Sequence, residues 1–421
     1  MATQDLIRVL YAPHKAFKDI VQKPGYIVPL FLLIIFVVTQ VGSSYIIGTR
    51  TYIEQTLPTG VDGDVWTENA TLWQANSGVT ITNNYVNYLN ATPAISGFPD
   101  YYGNSSVEFK ESNSSLLQMA LANLDGQADC GANGFQNISF RVNIVSPDAR
   151  PESVNLTLYS LSDFDFFSYD LTSAFSNSVA NVWNNITVPV GSGDWSSTGS
   201  PSWENITSLK LDFSWSSSSD IDLLLDGLFF RGKFESQMDL VGATIYLASS
   251  ALNGFAPFLF EWLILTGIMY LLIKGLKGDV VWKPLMIAVG YALITLVFQS
   301  IIITGIYTTL PDLFYPLEIL NFIPGEFQTA SNMLLNQIAD INTASYVVQA
   351  VMWVWTVALG AFAVRAITGS KQVAEQVSMG KPALEAPASG GEVTAFSWMK
   401  CLLVSGAGLL VTIVIMGFLG V

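Results

Sequence analysis

Residues 26–48 read YIVPLFLLIIFVVTQVGSSYIIG, a run of 23 residues without a charge. As a helix rising 1.5 Å per residue such a run is ~35 Å long, enough to cross a hydrocarbon core of ~30 Å. Four further runs have the same character: Leu252–Ile273, Pro284–Tyr307, Tyr346–Ile367 and Trp398–Gly420. The first run is longer than the ~7–15-residue core of a signal peptide and lacks a small-x-small exit, so it reads as an uncleaved anchor. The expectation is a polytopic α-helical membrane protein of five spans.

Composition agrees. Hydrophobic residues make up 51% of the chain and charged residues only 12%, against ~25% charged in soluble domains. The charge is also segregated. Residues 49–249 carry seven Lys/Arg and 22 Asp/Glu, which is the whole net charge of −15, while the remainder carries eleven of each. A segment with its own charge balance reads as a separate domain in a different solvent. Its acidity disfavours nucleic acid as a partner.

Lys and Arg mark the cytoplasmic side of short connections. Arg8, Lys15, Lys18 and Lys23 precede the first span. Lys274, Lys277 and Lys283 lie between the second and third, and Arg365, Lys371, Lys381 and Lys400 surround the connection between the fourth and fifth. The loop 308–345 has no Lys or Arg. The alternation predicts a cytoplasmic N-terminus and an outer C-terminus, with Trp282 and Trp398 at membrane interfaces. Eight Asn-x-Ser/Thr sequons, at Asn69, Asn90, Asn104, Asn113, Asn137, Asn155, Asn185 and Asn205, all fall between the first two spans. Glycan acceptors belong outside. The resulting map is a cytoplasmic segment 1–25, spans 26–48, 250–273, 284–307, 346–367 and 398–420, cytoplasmic connections 274–283 and 368–397, an outer domain 49–249 and an outer loop 308–345.

Within the outer domain apolar and polar residues alternate. Ile138, Phe140 and Val142 are separated by Ser139 and Arg141. Val154, Leu156 and Leu158 are separated by Asn155 and Thr157. Leu209, Leu211, Phe213 and Trp215 are separated by Lys210, Asp212 and Ser214. Period two with one apolar face means strands packed on one side, and many short strands without helices predict a β-sandwich. Asp194-Trp195, Ser202-Trp203-Glu204-Asn205-Ile206, Leu209–Trp215, Ile221-Asp222 and Asp226-Gly227-Leu228-Phe229-Phe230 resemble the closing strands of carbohydrate-binding-module jelly rolls. That resemblance implies loop aromatics stacked on sugar rings, with Trp183, Trp195 and Trp203 as candidates, or else as core and edge residues. It also implies a structural calcium, for which Asp163, Asp165, Asp220 and Asp222 supply hard oxygen ligands, unless they are solvated acids.

The stretch Leu6–Ile20 reads as short amphipathic helices, with Pro13 at a helix start. Leu6, Leu10, Phe17 and Ile20 are expected to meet lipid, and Arg8, Lys15 and Lys18 headgroups. This stretch, with Lys283-Pro284 and Gly290-Tyr291-Ala292 at the third span and Trp353-x-Trp355 and Val364–Ser370 closing the fourth, resembles the Yip family of polytopic membrane proteins. The resemblance covers residues 6–48 and about 250–420. The chain departs from that family by the insertion after its first span and by lacking the long cytosolic N-terminal region of members that meet small GTPases. The arrangement fits a prokaryotic surface protein better than a vesicle-trafficking factor.

Glu261 stands in the second span, where a charge costs at least ~2.5 kcal/mol. Gln40 and Gln299 are expected at similar depth and Gln349 nearer the outer surface. They form either a proton or ligand site or an interhelical hydrogen-bonded cluster, with Gln299 and Gln40 as partners of a protonated Glu261. Catalytic motifs are absent from the sequence. The lone histidine, His14, precedes the first span, and Cys130 and Cys401 lie in different regions, so neither Ser-His-Asp chemistry nor a zinc spacing is offered in the outer domain. The composite expectation is a non-enzymatic surface protein. Its outer domain recognises sugar or a neighbouring surface protein on a helical anchor, with transport or membrane organisation as alternatives. Deglycosylation of native protein should lower its apparent mass, and cysteines introduced at 274–283 should resist impermeant label on intact cells; labelling there would refute the orientation.

Overall fold

The computed structural model describes residues 2–59, 63–88, 103–124, 126–191, 193–320, 326–370 and 395–420. The chain forms two compact units. A helical unit comprises Met1–Thr51, Ser236–Asp312 and Leu335–Val421, and a β unit comprises Tyr52–Glu235 and Leu313–Leu334.

The main helices are α1 (Ala2–Tyr11), α2 (Pro13–Gln22), α3 (Ile27–Arg50), α4 (Ala243–Gly275), α5 (Trp282–Ala292), α6 (Ile294–Tyr307), α7 (Glu326–Thr368) and α8 (Trp398–Leu419). Among the described residues five helical stretches are long and apolar enough to cross a membrane, with α5 and α6 counting as one. They coincide with the five sequence-predicted spans, but two extend beyond them. At 33 and 43 residues, α4 and α7 are ~50 and ~65 Å long, well over a ~30 Å apolar core. Between α5 and α6, Leu293 adopts φ −70°, ψ 3°. One i→i−3 bond, from Leu296 N–H to Leu293 O at 3.0 Å, bridges the interruption.

Pro13 occupies the start of α2, where its missing N–H costs nothing. Phe17 and Ile20 pack into the helical core and Leu6 and Leu10 against it. The expectation that Phe17 and Ile20 meet lipid is thereby corrected, since both are buried against α5 and its neighbours, while Leu6 and Leu10 stay half-buried. In the same core Phe36 lies 5.3 Å from Phe258, and Trp262 Nε1 donates to Met286 O at 2.7 Å. Gly290 allows close approach, since a Cβ there would fall 2.7 Å from Pro29.

Pairs of hydroxyls add further polar contacts between these helices. Thr39 and Ser300 lie 2.6 Å apart, Ser43 and Thr304 2.6 Å, and Thr295 and Thr356 2.6 Å. In each pair one hydroxyl can donate across while the other donates to a carbonyl of its own helix, so no polar hydrogen is stranded. Such contacts contribute on the order of 0.6 kcal/mol each.

The strands are β1 (Thr51–Leu57), β2 (Trp73–Ala75), β3 (Thr80–Asn84), β4 (Ser106–Leu121), β5 (Asn137–Ser146), β6 (Ser153–Ser160), β7 (Ser162–Asp170), β8 (Trp183–Pro189), β9 (Ser196–Thr198), β10 (Ile206–Ser236) and β11 (Leu313–Tyr315). All eleven join one hydrogen-bonded network. Where the sequence predicts many short strands, β10 runs for 31 residues. Its Leu209–Ser214 portion lies between β6 and the Leu116–Leu121 half of β4. Its Leu223–Leu225 portion lies between β5 and the Val107–Phe109 end of β4. The β4–β10 register breaks between Ser214 and Ile221, and bulges there bend both strands together. The two halves of the sheet enclose one core holding Phe140, Leu156, Leu211, Phe213, Leu223 and Phe109. The alternation read for β5, β6 and β10 is observed, with Ile138, Val142, Val154, Leu158 and Leu209 also fully buried and Trp215 5% exposed.

The β unit gains a part that the predicted boundaries 49–249 did not include. Residues Leu313–Leu334 cluster with it, whereas those after Glu235 belong to the helical unit. The link is a charged clamp. Arg231 Nε and Nη2 donate to Glu54 at 2.9 Å each, and Nη1 and Nη2 donate to Glu318 at 2.7 and 3.0 Å. Glu54 also accepts from Gly232 N–H at 2.8 Å and Leu317 N–H at 2.7 Å, and its side chain is 2% exposed. Burial would raise Glu318, but the hydrogen bonds from Arg231 outweigh it and hold the carboxyl below its ordinary range. Arg231→Gln leaves Glu54 buried without its cation and should destabilise the β unit by about 3–5 kcal/mol, read by denaturant unfolding. Adding Glu54→Gln should recover part of the loss.

Candidate functional site

Directly paired residues in an antiparallel sheet share a face. The registers therefore assemble one row across five strands on the side away from the core: Trp183 of β8, Asn143 of β5, Leu224 of β10, Glu108 of β4 and Thr82 of β3. On one side of this row Asn185 pairs with Arg141 and Arg141 with Asp226. On the other, Asp222 pairs with Lys110.

This face is dense with hydrogen-bonding groups. Glu108 accepts from Thr82 Oγ1 at 3.1 Å and Asn84 Nδ2 at 2.5 Å, and lies 2.8 Å from Lys110 Nζ. Burial would raise its pKa, but these bonds outweigh it and lower it. Asp222, 3.4 Å from the same Lys110 Nζ, is raised by burial and then by the charge of Glu108. Tyr88 covers Arg141, whose guanidinium carbon is 4.5 Å from the ring centre. The phenol donates to Glu326 at 2.7 Å and accepts from Asn185 at 3.2 Å. Trp183 stands edge-on to Tyr88 with ring centres 6.3 Å apart. Asn143 Oδ1 and Asp222 Oδ1 have no protein partner among the described residues. The chemistry on offer is planar carboxylate and amide groups beside an aromatic ring, which suits a ligand rich in hydroxyls.

Beneath Tyr88 lies a buried acid pair. Asp64 is 1% and Asp226 0% exposed. Asp226 accepts from Tyr88 N–H at 2.5 Å and Gly227 N–H at 2.7 Å, and Asp64 from Thr67 Oγ1 at 3.2 Å. The two carboxyls are close enough to interact directly. Burial, followed by the charge of Asp226, raises Asp64 well above the carboxylate range. Burial pushes Asp226 up to about 6.

Of the three tryptophans expected to stack on sugar, only Trp183 belongs to this face. Trp195 is buried, its ring 5.3 Å from Trp203 and 5.1 Å from Tyr169, with Nε1 donating to Pro189 O at 2.8 Å. Trp203 stacks on Phe167 at 3.7 Å. Their ring faces are spent on the core, so of the two readings offered for them the core and edge one holds and the stacking one does not. Asp163 and Asp165 sit on β7 and Asp220 and Asp222 on β10; Asp165 accepts from Ser162 and Ser200, Asp220 from Asn113. Among the described residues no three His, Cys, Asp or Glu side chains converge as metal ligands. Cys130 and Cys401 are both buried and unpaired. Burial, then Asp129, pushes the Cys130 thiol up to about 12, so it stays protonated and unreactive. Asn104, Asn113 and Asn185 are exposed; Asn69, Asn137, Asn155 and Asn205 are half-buried; Asn90 lies outside the described residues.

The membrane-depth polar cluster does not assemble. Gly254 packs on Gln40 and Phe258 on Phe36. In this antiparallel register Glu261 comes level with Leu33, ~10 Å along the axis from Gln40. Glu261 is half-buried and has no hydrogen-bonding partner among the described residues. Gln299 Oε1 is buried without a partner, and Gln349 is half-buried on α7. Equal depth estimated from each span did not predict contact, because the packing of Gly254 on Gln40 and Phe258 on Phe36 sets Glu261 about two helical turns from Gln40. The sequence reading missed Arg141, Asn143, Tyr88, Glu108, Asp64 and Asp226. Arg141 and Asn143 had a signal, as the large polar members of the β5 alternation.

No protein-family model matches the chain, and no curated protein matches it. Among solved structures the β unit is similar to a family 11 carbohydrate-binding module from Clostridium thermocellum in complex with a mixed-linked tetrasaccharide, at 12% identity and TM-score 0.27, covering 42% of this chain and 94% of that one. It is also similar to an exo-β-agarase, at 10% identity and TM-score 0.27, covering 41% and 25%. A β-1,2-glucanase from Parabacteroides distasonis follows at 13% identity and TM-score 0.27, covering 40% and 25%. The chain thus spans about a quarter of the length of the two enzymes. At these TM-scores the likeness carries no inference about ligand or activity.

The acid pair sets a pH dependence with a definite sign. Both folded-state pKa values are raised, so between about pH 4 and 6 the folded state binds more protons than the unfolded one, and stability falls as pH rises through that window. Thermal unfolding of the β unit should occur at higher temperature near pH 5 than near pH 7, and Asp226→Asn should flatten the difference. An Asp226→Asn profile as steep as that of the unaltered protein would contradict the assignment.

Proposed function

We propose that the protein is a non-enzymatic, membrane-anchored surface protein whose β unit binds carbohydrate on the face built from β8, β5, β10, β4 and β3. One observation carries the reading: the row from Trp183 through Asn143 and Glu108, with Asp222 beside it, gathers an aromatic ring and planar amide and carboxylate groups on one sheet face, where the buried Asn143 and Asp222 oxygens lack a donor among the described residues. Vicinal sugar hydroxyls donate to such acceptors, and the apolar face of a sugar ring packs on indole. Asn143 is 6% exposed, so its unpartnered oxygen has an energetic reason to gain a donor.

The orientation proposed with it places the N-terminus in the cytoplasm and the β unit outside. It is supported by the Lys/Arg alternation and by the confinement of all eight sequons to one segment. The five apolar helices act as the anchor. The lack of histidine in the outer segment supports the non-enzymatic reading, since acyl-transfer triads need one.

The test is glycan-array binding by the whole detergent-purified protein, followed by titration of the retained glycans. Trp183→Ala and Asn143→Ala should each weaken binding by roughly tenfold or more, equivalent to about 1.4 kcal/mol, without changing the unfolding temperature much. No glycan retained above background, or unaltered affinity in both variants, would refute it.

A further inference from the structure

A second site lies in the helical unit. On α2, His14, Lys18 and Gln22 follow at intervals of four and form one exposed face, while Phe17, Ile20 and Val21 on the opposite face are buried. Arg365, in the last turn of α7, and Trp398, the first residue of α8, stand across from that face. Together these residues line a cavity of about 690 Å³.

The cavity is electrostatically one-sided. Among the described residues its charged lining is Lys18 and Arg365, with no carboxylate. Asp19, the acid beside Lys18, is held by Arg8 at 3.0 Å. Arg365 lies over Trp398, 4.4 Å from the ring centre, and gives one N–H to Phe396 O at 3.4 Å. These contacts fix the guanidinium plane while leaving most of its five donors without an acceptor among the described residues. Lys18 and His14 likewise have no acceptor there. The N-terminus of α8, a 22-residue helix capped by Ser397, adds partial positive charge at the same end. A planar guanidinium, an ammonium and an imidazole around one cavity form a donor set for a tetrahedral oxyanion, and basic cavities at the ends of membrane helices suit anionic headgroups.

We propose that this cavity binds a phosphate group, carried by an anionic lipid headgroup or by a soluble phosphate compound, with Arg365 and Lys18 as its principal contacts and His14 as a further donor. The site is independent of the sugar-binding face and rests on different residues.

The whole protein, reconstituted in nanodiscs of equimolar phosphatidylcholine and phosphatidylglycerol, should retain phosphatidylglycerol preferentially when released and weighed by native mass spectrometry. Lys18→Gln and Arg365→Gln should each reduce that retention by roughly tenfold, the loss expected for one charge-assisted hydrogen bond. Arg365→Lys should fall between, keeping charge but losing the planar fork. Calorimetric titration with inorganic phosphate separates the sources. Retention of phosphatidylglycerol that phosphate does not displace assigns the site to lipid. Phosphate binding that Lys18→Gln weakens, with no lipid preference, assigns it to a soluble compound. Should Arg365→Gln fail to fold, Lys18→Gln decides, because Lys18 lies on an exposed face. Equal retention of the two lipids with no phosphate binding, or retention unchanged in Lys18→Gln, overturns the proposal.

Discussion

The β unit depends on Arg231. Its guanidinium is the only cation bonded to Glu54 among the described residues, and Glu54 is a carboxylate with almost no access to water. A lone charge in that position would cost several kcal/mol. Here it is met by a fork of two N–H donors and by two backbone amides, Gly232 and Leu317. Three distant parts of the chain, β1, the end of β10 and the segment that follows β11, are brought to one point by this pairing. It gives the β unit a defined boundary where β1, the end of β10 and the returning segment meet. Hydrophobic burial alone would not define that boundary, since burial is non-directional, whereas a guanidinium bonded to two carboxylates fixes distance and angle.

The polar face of the sheet is organised around a second arginine, also on a strand. Arg141 lies between the Asp226 carboxylate, the Glu326 carboxylate at 3.7 Å and the Tyr88 ring. The same positive charge lowers Asp226 somewhat against the larger effect of burial. The ordering of Tyr88, and of Trp183 beside it, thus traces to a strand position whose neighbours on the core side, Phe140 and Val142, are fully buried. The core sets the strand, the strand sets the arginine, and the arginine sets the aromatic groups at the edge of the candidate site.

The helical unit is held in a different way. Its interhelical polar contacts include short pairs of Ser and Thr hydroxyls, at least one member of each backed by a carbonyl of its own helix. Small hydroxyls allow helices to approach closely. Glu261 and Gln299 take no part in these pairs. Gly290 and Gly360, which lie against Pro29 and Ser405, serve the same close packing.

Much of this architecture was legible in the sequence. The five apolar runs appear as five long helices, and the alternation at 138–142, 154–158 and 209–215 appears as β5, β6 and β10 with the expected residues in the core. These features were legible because apolar run length and side-chain period are properties of a few consecutive residues. Less could be read of the site. Trp183, Trp195 and Trp203 could not be told apart as stacking or core residues, because a tryptophan beside a turn has the same local pattern whether it faces solvent or core. What the sequence by itself determined were the helices, the strands and the faces they bury, since local hydrophobic patterning is sufficient for those. Only the tertiary structure decided which polar groups meet: Arg231 with Glu54 and Glu318, Arg141 with Tyr88, Asp64 with Asp226, Thr39 with Ser300. The reason is that a hydrogen bond depends on the register between segments far apart in the chain, and a slip of one residue would turn each of these strand side chains to the other face.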